Sequence, residues 1–462
     1  MRIFDFLRNS KNNDSLPPES TTSFSPRNFT EVVVEPTTDK KTVLVTGGAG
    51  FIGSATAMAL LGRGDDVIII DEMNDYYSVQ KKQSNLSNLQ SLYPAPGRLH
   101  IYTLSVSTPS PLLTEIFTTH QITHVCHLAA RAGVRPSIDD PMIYVESNVG
   151  ATTTMLEMAR KHQVANFVYA SSSSVYGGLQ TPVFSELSDV SNPVSPYAAT
   201  KKSCELMAHV YSSLYSLPVT GLRFFTVFGP RGRPDMAPHK FIDRISNGEV
   251  VDQYGDGSTS RDYTYIDDIV EGVVRAIDRP YPCQVFNLGK GGGTSLKEFI
   301  EIVEGATGKR AKVNVMEEQP GDVRYTCADV RKARHYLGFE AKVGFKEGIE
   351  RTVEWYEKEK EKVKEQEQEQ EVKVEEKNNK INKINKNYNP HSCATISGAT
   401  GQALVAEIKK LRESKQPRKK YSEEERLDEE RGGDEGRERV FAEEERLDDE
   451  LRDGLRPSSW KD

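Results

Sequence analysis

Thr42-Val43-Leu44-Val45-Thr46-Gly47-Gly48-Ala49-Gly50-Phe51-Ile52-Gly53 is the stretch that decides how this chain folds. Its first five residues are a short apolar run that stops at glycines, as a strand buried on both faces does. Phe51 to Leu61 continues with apolar residues at helical spacing. Between the two, Gly47, Gly50 and Gly53 fall as G-x-x-G-x-x-G. Glycine at such a turn leaves room for a pyrophosphate against the backbone and tolerates the tight bend. The helix start adds free N–H groups and a partial charge of about +0.5. Asp71 ends the next apolar run, 18 residues after Gly53. A carboxylate there can accept hydrogen bonds from an adenosine ribose, which favours NAD over NADP.

The pattern repeats outward from this unit. Val67-Ile68-Ile69-Ile70, Leu99 to Leu104, Ile122 to Leu128, Asn166 to Ala170 and Val219 to Phe225 read as further strands. Helical patterns separate them, notably Met142 to His162 and Pro196 to Ser216. Strand and helix alternating at this pitch predict an α/β fold, a doubly wound parallel sheet of the Rossmann kind. The nucleotide-binding domain is expected over 41–229. Past Gly229 the elements shorten and Gly and Pro increase, which predicts a smaller, partly intertwined domain over 230–356.

Composition bounds the two ends. The chain has 462 residues and a net charge of −8, from 60 basic and 68 acidic side chains. Residues 357–462 hold 24 of the basic and 28 of the acidic ones, too polar a segment to bury a core, and read as a charged low-complexity tail. Glu357 to Glu376 reads as a solvated extension of the last helix. Within the tail, Glu423-Glu424-Glu425-Arg426-Leu427-Asp428 returns at Glu443 to Asp448, too few copies for a solenoid. Residues 1–40, rich in Ser, Thr, Asn and Pro, read as a disordered leader. Its acidic Asp5, Asp14 and Glu19 argue against a transit peptide.

The charge balance points away from nucleic acid as a partner. No apolar run is long enough for a membrane helix. Five scattered cysteines without a C-x-x-C pair argue against disulfides and a metal site, and for a reducing, cytoplasmic setting.

Chemistry concentrates in two places. Tyr197 and Lys201 stand at i and i+4, on one face of a predicted helix. A phenol with an ordinary pKa of about 10 is a poor base at neutral pH. A neighbouring ammonium and an oxidised, cationic nicotinamide both favour its phenolate, which can take a proton from a substrate hydroxyl. Upstream, Ser171-Ser172-Ser173-Ser174-Val175-Tyr176-Gly177 follows the fifth strand. Four hydroxyls there are expected to face the ligand crevice at the carboxyl end of the sheet.

Thr46 to Gly53, His127-Leu128-Ala129-Ala130, Ser171 to Gly177 and the Tyr197/Lys201 pair together resemble the extended short-chain dehydrogenase/reductases, in the nucleotide-sugar epimerase/dehydratase branch. The resemblance runs from Thr42 to Tyr356. It implies a tightly held NAD, contacted by Gly47, Gly50, Phe51, Ile52, Gly53, Asp71 and Asn74. Leu128, Ala129, Ala130, Asn148, Tyr197 and Lys201 complete the implied cofactor site. It also implies a shared first step: the tyrosine removes the sugar O4 proton while C4 gives hydride to NAD, leaving a 4-keto sugar. Ser172 is then expected to hydrogen-bond O4. A homodimer through helices 142–162 and 196–216 follows from the same resemblance.

What happens after that step depends on the serine loop. Dehydratases of this branch carry an Asp-Glu pair after the fifth strand, and decarboxylases a Glu where Ser174 stands. No acid lies between Ser171 and Gly177, so elimination lacks its base and acid. Asp71 to Tyr77 and Thr226 to Ala237 are similar to UDP-glucuronate 4-epimerases. That similarity implies that Ser172, Ser173, Ser174 and Arg233 meet the sugar carboxylate, with Thr226 also in the substrate site. A guanidinium fork and hydroxyls suit such a group. It further implies Lys240 and Phe241 at uridine, with Arg261, Asp322 and Arg324 at the ribose and phosphates. A 4-epimerase of a neutral UDP-hexose, a decarboxylase-type enzyme and a non-catalytic cofactor-sensing scaffold are the alternatives. The chain departs from the branch at Leu104 to Ser107, which lacks the usual acid near adenine, at Arg131, where Gln is common, and at Glu72, where Asn is usual.

Overall fold

A computed structural model describes residues 32–179, 181, 183–317 and 324–387. The chain divides into two units, Met1–Gln366 and Glu367–Asp462. The first holds a seven-stranded parallel sheet. Its strands include β1 (Thr42–Thr46), β2 (Asp66–Asp71), β3 (Leu99–Thr103), β4 (His124–His127), β5 (Asn166–Ser172) and β6 (Val219–Phe224). Cys283–Leu288, from far past Gly229, closes the edge beside β6, so the order is Cys283–Leu288, β6, β5, β4, β1, β2, β3. β1 pairs with β2 on one side and β4 on the other, with Thr46 opposite both Ile70 and His127. The winding reverses between β1 and β4, and such a switch point opens a crevice at the strands' carboxyl ends.

Both faces of the sheet are covered, which is why its strands are apolar throughout rather than alternating. Val43 and Val45 pack with Ala57, Leu60 and Leu61 of the helix α1 (Phe51–Arg63). Leu44 and Ile68 point the other way, into a cluster with Leu113, Ile116 and Phe117. A third cluster, built on Phe228, Phe241, Phe299 and Ile349, lies in the part after the sixth strand.

Three expectations are modified. The helix expected over Met142–His162 is broken into Pro141–Tyr144, a π-helical turn Val145–Gly150, and Ala151–Lys161. The side chain of Asn148 in that turn is pinned to the Arg131 backbone through both its amide oxygen and nitrogen, and π-turns accommodate such local demands. The expected leader is tied to the body from Val34 on, with Val34 N–H donating to Tyr281 Oη and Thr37 N–H to Asp278 O. The last helix runs Phe345–Asn387, with exposed i,i+4 pairs such as Glu354–Lys358. The 423–428 and 443–448 repeats lie outside the described residues. Among the described residues no helix is long and apolar enough to cross a membrane.

Candidate active site

The glycine turn is built as its sequence requires. Gly47 has φ +67°, and a Cβ there would lie 2.8 Å from the Ala129 nitrogen. At Gly53 a Cβ would fall 2.1 Å from the Gly47 carbonyl oxygen, well inside any real contact. α1 begins at Gly50 with no capping side chain and no acid in its first turn, so its N-terminal donors and partial positive charge face the cleft. Asp71 fastens the turn: its Oδ2 accepts from Ala49 N–H at 3.1 Å, and Oδ1 from Met73 N–H at 2.9 Å. Lys82 Nζ stands 3.7 Å away. Burial and the Asp71 charge push the nearby Tyr77 phenol up to about 12.

Across the crevice, the helix Pro196–Tyr215 is capped by Ser195 Oγ, which accepts from Ala198 N–H at 3.1 Å. Tyr197 N–H donates to Ser137 Oγ, and the ring meets Tyr144 edge-on at 6.1 Å. One turn on, buried Lys201 donates from Nζ to Ala170 O at 2.9 Å, which anchors the ammonium at the end of β5. The serine loop is a 3-10 turn, Ser173–Tyr176. Ser172 Oγ caps it, accepting from Ser174 N–H and donating to Ser174 Oγ, both at 3.2 Å. Ser171, Ser172, Ser173 and Ser174 all line the crevice, as expected. Ser171 Oγ also donates to Glu205 Oε1 at 2.7 Å.

A cleft of about 430 Å³ joins these parts. It is lined by Gly47, Gly50, Phe51, Ile52, Gly53, Asp71, Asn74, Leu128, Ala129 and Ala130 at one end. Ser172, Ser173, Ser174, Tyr197, Lys201, Thr226 and Arg233 line the other. Burial works against the Arg233 charge, but hydrogen bonds and attraction from Asp235 outweigh it and hold its pKa above the ordinary arginine value. Its Nε and Nη2 engage Asp235, and Nη2 also donates to Tyr76 Oη. Nη1 makes no hydrogen bond among the described residues and is left for a ligand.

Asn148, Lys240, Phe241, Arg261 and Arg324 are not part of this lining. Asn148 forms the wall behind it, donating to Arg131 O and Thr200 Oγ1. Lys240 is exposed on the helix Ala237–Asn247. Phe241 is a core ring, 6% exposed and stacked on Phe299 at 5.1 Å. Arg261 and Arg324 both touch Ser260, Arg261 through Nη1 to Ser260 O and Arg324 through its carbonyl to Ser260 N–H. Asp322 lies outside the described residues.

Tyr76 was not singled out by the sequence. Its ring takes the guanidinium of Arg131 at 5.3 Å and of Arg233 at 5.1 Å. It sits inside the Asp71–Tyr77 stretch, but no spacing rule marks it. Glu205, four residues after Lys201, was also missed, although its i+4 position on the Tyr197 face was readable.

A family model described as GDP-mannose 4,6 dehydratase matches residues 44–352. A UDP-glucuronate 4-epimerase of Thermodesulfobacterium geofontis is 42% identical over 313 residues, 68% of this chain and 95% of that protein. Protein CapI of Staphylococcus aureus is 41% identical over 333 residues, 68% of this chain and 98% of its own length. Among solved structures, UDP-glucuronic acid 4-epimerase from Bacillus cereus, in complex with UDP-glucuronic acid and NAD, superposes with a TM-score of 0.64 at 34% identity. That match covers 69% of this chain and 99% of that one.

Proposed function

The chain belongs to the GDP-mannose 4,6 dehydratase family of NAD-dependent nucleotide-sugar epimerases and dehydratases, and from that premise we propose that it interconverts UDP-glucuronate and UDP-galacturonate. The broader activity is NAD-dependent 4-epimerisation of a UDP-sugar. The single observation that carries the choice of sugar is Arg233. It lines the same cleft as Ser172, Ser173, Ser174 and Tyr197, with an unused guanidinium edge.

The residues present fit a dinucleotide. The turn has no room for any side chain at Gly47 or Gly53, the start of α1 is uncapped, and Asp71 lines the cleft at the end of β2. When bound, NAD supplies a two-electron acceptor that returns its hydride in the same turnover. Tyr197 takes the proton of the sugar 4-hydroxyl and returns it to the same oxygen once the keto sugar has turned its other face to the cofactor site. Lys201, fixed by Ala170 O, holds its ammonium one helical turn from that phenol, on the same cleft. Ser172, oriented by its two contacts with Ser174, holds the sugar oxygen in line. Ser173, Ser174 and Arg233 grip the carboxylate through charge-assisted hydrogen bonds, and Thr226 lines the same cleft. Nothing acidic stands at Ser174, so the loop offers no group for elimination. Arg261 and Arg324, adjacent to Ser260 through the Arg261 guanidinium and the Arg324 backbone carbonyl, are assigned to the nucleotide end.

The assembly is a homodimer. In support, Met142, Val145, Leu206, Val210 and Leu214 are exposed apolar residues on the two long helical segments of the expected interface. Cys126, Cys204, Cys283 and Cys327 are thiols rather than disulfides, in keeping with a reducing, cytoplasmic setting. Incubation of the purified protein with UDP-glucuronate, followed by chromatography of the nucleotide sugars, tests the reading. UDP-galacturonate is the expected product; a UDP-pentose, a dehydrated sugar or unchanged substrate refutes it.

A further inference from the structure

Tyr197, Lys201 and Glu205 stand at i, i+4 and i+8, one stripe of the helix Pro196–Tyr215. Their partners climb β5 in step. Lys201 reaches Ala170 O and Glu205 reaches Ser171 Oγ, and the next residue of the strand is Ser172. Glu205 is also held from below. Arg223 of β6 grips it with two parallel hydrogen bonds, Nε to Oε1 and Nη2 to Oε2, both 2.8 Å. Lys202 Nζ adds a contact to Oε2 at 3.2 Å. Glu205 and Arg223 side chains are each only 4% exposed. Arg223 further lies over the ring of Tyr176, 4.8 Å from its centroid, and Tyr176 Oη donates to Asn287 Oδ1 at 2.6 Å. Tyr176 ends the serine loop.

From this we infer that the Glu205–Arg223 pair is a positioning device that fixes Tyr197 relative to Ser172, by clamping the catalytic helix and the serine loop to the same two strands. It rests on the assignment of Tyr197 and Ser172 to the sugar 4-hydroxyl. One arginine touches both halves of the site: Glu205 on the helix and Tyr176 on the loop. A buried ion pair contributes little net stability over a well-packed apolar pair of the same volume, because desolvation offsets the attraction. Its geometric demand is strict, since two parallel hydrogen bonds set distance and angle together. The pair is therefore placed where geometry matters most, one turn past Lys201. The carboxylate outweighs its burial and stays below the ordinary glutamate pKa through Arg223 and Ser171, so the clamp persists across the working pH range.

The test separates positioning from folding. A double variant, Glu205→Leu with Arg223→Met, replaces the pair by apolar side chains of similar size, an exchange buried pairs often tolerate. Thermal unfolding, retained NAD, kcat and KM for UDP-glucuronate are measured on the full chain. The expected result is a folded, NAD-loaded protein with KM within about 3-fold of the parent and kcat lowered at least about 10-fold, as for a catalytic group displaced by a fraction of an ångström. Ser171→Ala, which cuts only the strand-side stitch, is expected to lower kcat by about 3-fold or more at unchanged KM. Ser171→Thr, which keeps a hydroxyl for Glu205, is expected to recover part of that loss. A folded double variant with parental kcat overturns the inference. So does a fully active Ser171→Ala, which settles the matter should the double variant not fold. A parent that does not act on UDP-glucuronate at all overturns the substrate reading instead.

Discussion

Lowering the pH from 7 to 5 should cost this protein stability through one buried ring, His127. The residue ends β4, is 2% exposed, and sits between Thr46 Oγ1 at 2.7 Å from Nδ1 and Thr152 Oγ1 at 3.2 Å from Nε2. Thr152 gives its own proton to Cys204 Sγ, so the pattern suits a neutral ring that donates from Nε2 and accepts at Nδ1. Burial, aided by the Lys201 charge, pushes its pKa down from 6.5 to about 3. The sign follows directly. Below pH 6.5 the unfolded chain takes up a proton here and the folded chain does not until about pH 3. The stabilisation is complete above pH 6.5 and is lost progressively as pH falls toward 3. Each unit in that window is worth about 1.4 kcal/mol, so from pH 7 to 5 the loss is about 2 kcal/mol. Any folded pKa below about 4 gives the same figure, since the unfolded value sets the upper edge. Equilibrium urea unfolding of the parent and of His127→Gln at both pH values isolates this ring, because His124 and His239, whose burial lowers both to about 4, titrate in both proteins. The variant should be less stable at pH 7, yet lose about 2 kcal/mol less on acidification. Equal losses in the two proteins refute the reasoning.

Other outcomes are equally specific. Arg233→Ala should lower kcat/KM for UDP-glucuronate by about 10- to 100-fold, the worth of a charge-assisted hydrogen bond, and that for a neutral UDP-hexose by less than about 3-fold. The same variant and Ser174→Ala should release UDP-pentose as a side product on chromatography. A 4-keto glucuronate is a β-keto acid, and a grip that keeps the carboxyl C–C bond near the carbonyl plane suppresses loss of carbon dioxide. Gly53→Ala forces a Cβ to within 2.1 Å of the Gly47 oxygen, so the turn must open. The purified variant should carry no NAD when its nucleotides are extracted and quantified.

The glycine turn was legible because each glycine there answers a steric demand visible in three residues of spacing. Tyr197 and Lys201 were legible because one helical turn brings them together, and Asp71 because a strand end is easily placed. The departures share another cause. Ser171 is tied to Glu205 through a contact spanning 34 positions, and Tyr76 to Arg233 across 157. The π-turn at Val145–Gly150 answers to Asn148 and the Arg131 backbone, 17 residues apart. Contacts of this reach are set by how the sheet is wound, and no local pattern carries them. Phe241, placed at uridine by resemblance, has its ring packed on Phe299, another contact that no local pattern carries.

The central claim is that a sugar hydroxyl gives its proton to Tyr197 while the hydrogen on the carbon beneath never exchanges with water. Turnover of UDP-glucuronate in heavy water, read by proton NMR of the product, tests it most directly. The account predicts UDP-galacturonate with ordinary hydrogen retained at C4 from the wild-type chain, and no conversion by Tyr197→Phe. Deuterium at C4 of the product, or undiminished turnover by that variant, contradicts it.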